Sequence, residues 1–586
     1  MTRTDVLIVG AGPTGLVSAL LLARLGLRSI VVERQAATDE HPRAHELNAR
    51  SLEILGQVGI DEEELAVEAS PMDDAARILF CRRINEEFGR IDLEADPQRR
   101  EKYARHLRQR LPYLNLSQSE FEKILVRHAR RSPLVDLRQG HRWVSMEQSA
   151  EGVRSTIAAD GESVVESRWL LGCDGAGSPV RKALGIEMDG PTEIQQFVNA
   201  FFRCDLASRL RTRAKLFWIL DPEFAGVFVA HHVERRWVYA IPIRTPWERA
   251  EDFTPEVMRA RIEGALGFPV PGLRVESLST WRMTAQVARS YGAGRAWLLG
   301  DAAHRFPPTG GLGMNTGLAD AHNLCWKLAR VDAGEAGPGL LATYESERRP
   351  VAVRNCAESH ANYDRIWEVI RALGLDPARA DDFARLMASA PVRRLPPDLR
   401  RRLSAAIAAP ARWFVGRALR PGKRAAAVAA AIDHQVDHFD RLGLDIGYVY
   451  EKGALIPDGA APERVGRSAG DYVPTTRPGA RLPHAWSADA AGRVSTLDRV
   501  DYARFALFGS RARLPGLEGL ASPGLEFVDT ASFPEELLPA DRVLLVRPDG
   551  HVAWRAGVED VDPAAVTRAI DAVLSRPGAP GADPTS

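Results

Sequence analysis

Cysteine is scarce in this chain: five among 586 residues, at Cys81, Cys173, Cys204, Cys325 and Cys356, with no CxxC pair. That scatter argues against a disulfide framework or a zinc site and fits a reducing, cytoplasmic setting. Net charge is lacking too. Lys+Arg and Asp+Glu each number 77, so nothing draws the chain toward nucleic acid or an anionic membrane. Val17 to Leu27, the longest apolar run near the start, is broken by Arg24 and falls far short of a bilayer span, and no basic leader precedes a hydrophobic stretch. A protein without a signal peptide or membrane segment is expected. Internal repeats are absent. What remains is an ordinary globular balance, 45% apolar and 26% charged, over a length that calls for two to four domains.

The first 35 or so residues read as strand, glycine turn, helix, strand. Val6 to Val9 suits a central parallel strand, Pro13 sits where a first helical turn accepts proline, and Ser29 to Val32 leads to Glu33. In Gly10-Ala11-Gly12-Pro13-Thr14-Gly15 each glycine has a steric task. Gly10 makes the turn, Gly12 lets backbone approach a pyrophosphate, and Gly15 permits close helix packing, while the helix N-terminus favours the phosphate charge. Glu33, acidic at the end of the second strand, can accept ribose hydroxyls.

Two further segments follow apolar strands. Asp174-Gly175-Ala176-Gly177 comes after Trp169 to Leu171, and Gly300-Asp301 comes after Trp297 to Leu299. Asp301 can accept from flavin ribityl hydroxyls. Gly310-Gly311-Leu312-Gly313-Met314-Asn315 then opens a helix expected over 312–330, whose N-terminus would stabilise negative charge on a flavin pyrimidine edge. A dinucleotide fold assembled from pieces this far apart has another domain threaded through it. The β-prone runs 197–205, 215–220, 227–233 and 236–243 supply that domain.

The segments Gly10–Leu16, Pro42–Arg50 (PRAHELNAR), Asp174–Arg181 and Gly300–Ala329 (GDAAHRFPPTGGLGMNTGLADAHNLCWKLA) resemble those of class A flavoprotein monooxygenases, the aromatic hydroxylases of the p-hydroxybenzoate hydroxylase fold, nearest the chlorophenol and phenol hydroxylase branch. The resemblance implies an α/β fold: an FAD-binding Rossmann-like domain (1–185 and 288–345), an inserted antiparallel substrate sheet (186–287) and a thioredoxin-like domain without redox cysteines (479–575). Composition adds an Ala-, Arg- and Leu-rich helical segment (346–456), a Pro/Gly-punctuated linker (457–478) and a Pro/Gly/Ser-rich disordered tail (576–586).

The resemblance further implies FAD contacts from Gly10, Gly12, Pro13, Thr14, Gly15, Glu33, Arg34, Arg43, Gln118, Asp174, Gly175, Asp301, Pro308, Gly311, Gly313, Met314 and Asn315. NADH or NADPH would reduce the flavin, and O₂ would then form a C4a-hydroperoxyflavin that hydroxylates a phenolic ring ortho or para to its hydroxyl. The Pro308 carbonyl would face the reacting substrate. Deprotonating the phenol calls for a base, and His45 is the candidate because imidazole titrates near neutrality. Trp218, Phe228, His232 and Tyr239 are the expected substrate residues. His231 and His232 should point to opposite faces of their strand. No metal is expected, and a homo-oligomer is. A Baeyer–Villiger or epoxidising tailoring oxygenase, or a non-catalytic flavin-binding redox sensor, remain alternatives on the same scaffold.

Overall fold

The computed structural model describes residues 2–244, 248–375, 385–386, 389–460, 468–488, 493–514, 516–520 and 524–577. Part of the expected linker (461–467) and nearly all of the expected tail (578–586) lie outside them.

An apolar run such as Val6-Leu7-Ile8-Val9 needs cover on both faces, and the fold supplies it. The strand Thr2–Val9 runs parallel to Ser29–Glu33 on one side and Glu162–Gly172 on the other, placing Leu7 between Ile30 and Leu170. Ala296–Leu298 and Val135–Gln139 extend the sheet outward, also in parallel pairings. The helices Pro13–Arg24, Gln118–Arg131 and Leu312–Asp332 pack on it, and their apolar faces join the largest buried cluster. Consequently Val9, Glu33, Gly172 and Leu298 end neighbouring parallel strands, the place where α/β sheets bind ligands.

The inserted sheet has seven strands, in the order Val275–Met283, Gln195–Phe202, Arg236–Pro242, Gly226–His232, Leu216–Ile219, Arg77–Cys81 and Glu87–Asp92. It is wider than the expected 186–287 insertion, because its last two strands come from the first chain segment. Arg77–Cys81 pairs in parallel with Leu216–Ile219. Alternation divides the side chains. Phe217, Phe228, Trp237 and Tyr239 enter a core closed by Met258, Ile262 and Leu266 of the helix Pro255–Leu266. Ile78, Phe80, Leu216 and Trp218 face Tyr113 and the long helix Gly339–Ala372.

The helical segment starts earlier than its expected boundary, at Gly339, and continues through Pro397–Ala418, Lys423–Asp433 and Leu442–Ile446. The C-terminal sheet runs in the order Leu525–Asp529, Phe505–Gly509, Arg542–Val546, Val552–Gly557, and the helix Pro563–Val573 closes the domain. This domain docks on the flavin-fold helices through buried charge. Arg547 donates to Glu347 at 2.8 and 2.9 Å and to Asp549, and Lys327 Nζ lies 2.8 Å from Glu347. No helix among the described residues is long and apolar enough to cross a membrane, and none of their His, Cys, Asp and Glu side chains group as a metal site.

Candidate active site

The glycine turn is shaped by contact on one side and open space on the other. Gly10 holds φ +104°, and a Cβ there would run into the Cys173 carbonyl; one on Gly15 would strike the carbonyl of Gly10. Gly12, Gly175 and Gly177 have nothing within 4 Å of where a Cβ would stand. The helix Pro13–Arg24 has no side-chain cap and no acid in its first turn, so its first N–H groups are available to an anion. Glu33 spans the turn by accepting from the N–H of Ala11 at 3.0 Å and that of Gln35 at 3.0 Å. Thr14 packs its hydroxyl against Gly300 and Gly317, joining the first motif to the third.

Arg34 and Arg43 are exposed beside this turn, Arg43 paired with Asp39 at 2.9 Å. Gln118 accepts from the Ala44 N–H at 3.3 Å and donates to Glu122 at 2.7 Å; burial pushes the Glu122 carboxyl up to about 7. Asp174 accepts from the Val180 N–H at 2.9 Å, while its Oδ1 is enclosed without a partner and burial raises its carboxyl. Asp301 is exposed at the mouth of the cleft, yet the protein crowded around it raises its carboxyl, against the pull of His304 and Arg305.

Gly311, at φ +62°, starts the helix Leu312–Asp332 with no side-chain cap and no acid in its first turn. Asn315 fixes this entry by donating to the carbonyls of Gly311 at 2.7 Å and Glu46 at 2.9 Å, and by accepting from the Asn48 N–H at 3.0 Å. Gly313 lies 4.0 Å, at its would-be Cβ, from Asp301 Oδ1. Met314 packs half-buried on the main core, and the exposed Pro308 offers its carbonyl to the Gly311 N–H at 3.1 Å. Two helix starts ready for negative charge, with acids at the ends of the intervening strands, fit the pyrophosphate, ribose and pyrimidine of FAD.

His45 stands at the edge of this cradle, oriented by an amide the sequence did not single out. Asn115 uses both hydrogens of Nδ2, donating to Ser70 Oγ at 3.0 Å and to the Ala230 carbonyl at 2.9 Å. Its Oδ1 therefore faces His45 Nδ1, 2.8 Å away. An amide oxygen can only accept, so Nδ1 carries the imidazole proton and Nε2 keeps the lone pair. Burial lowers the His45 pKa, with Glu46 opposing and Lys215 reinforcing, so the neutral ring prevails at pH 7.

Beside it, Glu46 is the centre of a second arrangement that the sequence did not reveal. Its carboxylate meets Lys215 Nζ at 2.6 Å and the Arg441 guanidinium, both buried. Burial alone would raise this carboxyl, but Arg441 and Lys215 override it and hold it far below the usual range. Lys215 comes from the inserted sheet and Arg441 from the helical segment, so three parts of the chain meet behind Gly311. The only signal was the position of Glu46 inside PRAHELNAR. Its two partners follow no periodicity.

The expected substrate residues divide between the two faces of the sheet. Phe228 and Tyr239 stack on each other at 4.2 Å in the core under the helix Pro255–Leu266, and Tyr239 donates to the Phe224 carbonyl at 2.6 Å. They face away from His45. His232 does too: its Nδ1 accepts from the Glu234 N–H at 3.3 Å. His231, on the face opposite Phe228 and Ala230, turns inward instead, edge-on to His45 with ring centroids 5.3 Å apart, at a bulge that leaves it without a cross-strand partner. Trp218 does lie on the inner face, with its indole N–H enclosed and unpartnered.

An FAD-shaped cradle with a second sheet laid over it defines a flavin-dependent oxygenase scaffold. The comparisons agree. Residues 3–359 match the FAD binding domain family, and residues 475–577 match the aromatic-ring hydroxylase C-terminal family. The chain is 31% identical to 2,4-dichlorophenol 6-monooxygenase of Delftia acidovorans, across 94% of this chain and 95% of that one. A putative polyketide hydroxylase of Streptomyces halstedii is 30% identical, across 94% and 93%. Among solved structures, the flavin-dependent monooxygenase PieE in complex with FAD and substrate superposes with a TM-score of 0.85 at 31% identity, covering 98% and 99% of the two chains. The chain belongs to the FAD-dependent aromatic-ring hydroxylases and is a monooxygenase of that family.

Proposed function

We propose that this enzyme hydroxylates a phenolic ring ortho or para to its hydroxyl, with His45 as the base. The hydrogen bond from His45 Nδ1 to Asn115 carries the reading, because it leaves Nε2 as a free lone pair on a neutral ring. FAD, reduced by NADH or NADPH, supplies the activated oxygen that an electron-rich ring attacks. The chain's own part is to make the ring electron-rich. Nε2 takes the phenol proton, and the resulting imidazolium still donates from Nδ1 to Asn115. An amide does not relay that proton further, so His45 holds it and can return it when the ring regains aromaticity.

The carbonyl of the exposed Pro308, which accepts from the Gly311 N–H with one lone pair, is proposed to turn the other toward the reacting ring. The flavin contacts proposed above follow the same placement, and a small phenol and O₂ are the proposed partners. The test is NAD(P)H oxidation with and without a phenol: flux should rise with the phenol and yield one hydroxylated product per nicotinamide consumed. Ligand-independent flux, or none at all, overturns the reading. A second reading, oxygen transfer to a polycyclic ring, draws on the relative named as a putative polyketide hydroxylase. Product mass and position of oxygen separate the two.

A further inference from the structure

His231 is buried, 3% exposed, and its Nδ1 is enclosed with no hydrogen-bond partner. A polar atom left unpaired in the interior costs stability unless something satisfies it. Three other buried histidines each leave one ring nitrogen enclosed but place the other on a protein group, His304 on Asp320 at 2.6 Å, His484 on Ser495 at 2.8 Å and His551 on the Asp549 carbonyl at 3.2 Å, while His438 stacks on Phe439. His231 has instead His45 beside it.

The placement of His231 is built. Ser70 Oγ donates to the His231 carbonyl at 2.8 Å, and Asn115 holds the preceding carbonyl, that of Ala230, at 2.9 Å. His231 falls at the bulge between Ala230 and His232, on the face opposite the core residues Phe228 and Ala230. Asn115 thus fixes both imidazoles, orienting His45 directly and His231 through its strand. No carboxylate adjoins the His231 ring: burial, His45, Arg236 and His41 all disfavour its protonation. A neutral imidazole both donates and accepts, so a hydroxyl or a ring carbonyl would satisfy it equally well.

We propose that His231 is a specificity-determining residue that binds a second oxygen on the substrate, so the site prefers a dihydroxylated or otherwise doubly oxygenated ring over a monophenol. This rests on the phenol-hydroxylase reading. Two rings with centroids 5.3 Å apart, one supplying the base and one a second polar contact, can serve two oxygens of a single six-membered ring.

The experiment compares phenol with catechol, resorcinol and hydroquinone, reading dissociation constants from perturbation of the bound flavin spectrum and kcat/KM from product formation. The wild-type holoenzyme should favour at least one dihydroxybenzene over phenol by about tenfold or more. His231→Leu should weaken the favoured dihydroxybenzene about fivefold or more beyond any effect on phenol, and His231→Asn, which restores a polar atom near Nδ1, should recover part of that difference. Equal weakening of all four ligands by His231→Leu, or no wild-type preference, overturns the proposal. If His231→Leu does not retain FAD, the wild-type preference and the asparagine variant decide. A wild-type enzyme that binds and turns over none of the four contradicts the phenol reading itself.

Discussion

Arg50 donates to the main-chain carbonyl of Asp549 at 2.7 Å, tying the first turn of a flavin-domain helix to a turn of the C-terminal domain. Two residues earlier, Asn48 bonds to Asn315, which in turn holds Gly311. The C-terminal domain therefore bears on the start of the helix that would meet the flavin, although it carries no cysteine for redox chemistry.

Replacing Arg547 by methionine leaves Glu347 and Asp549 buried beside each other, with Lys327 on Glu347 and the Arg50 guanidinium near Asp549 as the remaining cations. Removing one partner of a buried ion pair costs about 3–5 kcal/mol. Denaturant unfolding of Arg547→Met should show a loss of that size, with weaker FAD retention before unfolding. A variant as stable as wild type contradicts this account of the domain interface.

Glu46, Lys215 and Arg441 should behave as one unit. Glu46→Gln leaves two cations facing each other and should destabilise more than Lys215→Met. The pair should show a coupling of about 1–3 kcal/mol in a double-mutant cycle. Additive effects would mean that the pair does not interact as its 2.6 Å contact implies.

Gly10 and Gly12 separate folding from cofactor binding. A Cβ at Gly10 meets the Cys173 carbonyl at an unfavourable φ of +104°, so Gly10→Ala should lower the melting temperature of apoprotein and holoprotein alike. Gly12 has open space around it, so Gly12→Ala should leave the apoprotein melt within about 0.5 kcal/mol of wild type but weaken FAD binding. Equal FAD affinity in Gly12→Ala contradicts the pyrophosphate placement.

Several histidines have lowered pKa values through burial: His438 to about 3, His484 and His551 to about 4, and His45, His231 and His322 below the usual range. The unfolded chain protonates them near pH 6.5, whereas the folded chain does not. Stability should therefore fall as pH drops from about 6.5 toward 4, where the unfolded state binds more protons. Asp445, raised to about 6, and Glu122, raised to about 7, work in the opposite direction but are fewer. Denaturant melts at pH 7, 6 and 5 check the sign, and a stability maximum near pH 5 would be the wrong one.

Much of the scaffold was legible because local signals and tertiary context agreed. Val6 to Val9 is apolar throughout and became a central strand, and the helix expected over 312–330 runs Leu312–Asp332. The site was less legible. Alternation stated that His231 and His232 face opposite ways, but which of them faces inward depends on which side of the strand carries the Phe228 and Ala230 core. Phe228 and Tyr239 are aromatic on the right strands yet serve the core, because the helix Pro255–Leu266 covers that face. Asn115, Lys215 and Arg441 become site residues only once distant segments meet, and nothing in their own neighbourhoods marks them.

Removal of the phenol proton by His45 Nε2 is read from the pH dependence of kcat/KM with a phenol that supports turnover. Since the His45 pKa is lowered, the wild-type profile should stay level through neutrality and fall only below about pH 6.5. His45→Ala should lose roughly 10²-fold or more at pH 7 and recover toward alkaline pH, as the phenol ionises by itself. A His45→Ala profile that matches wild type in height and shape would contradict the account.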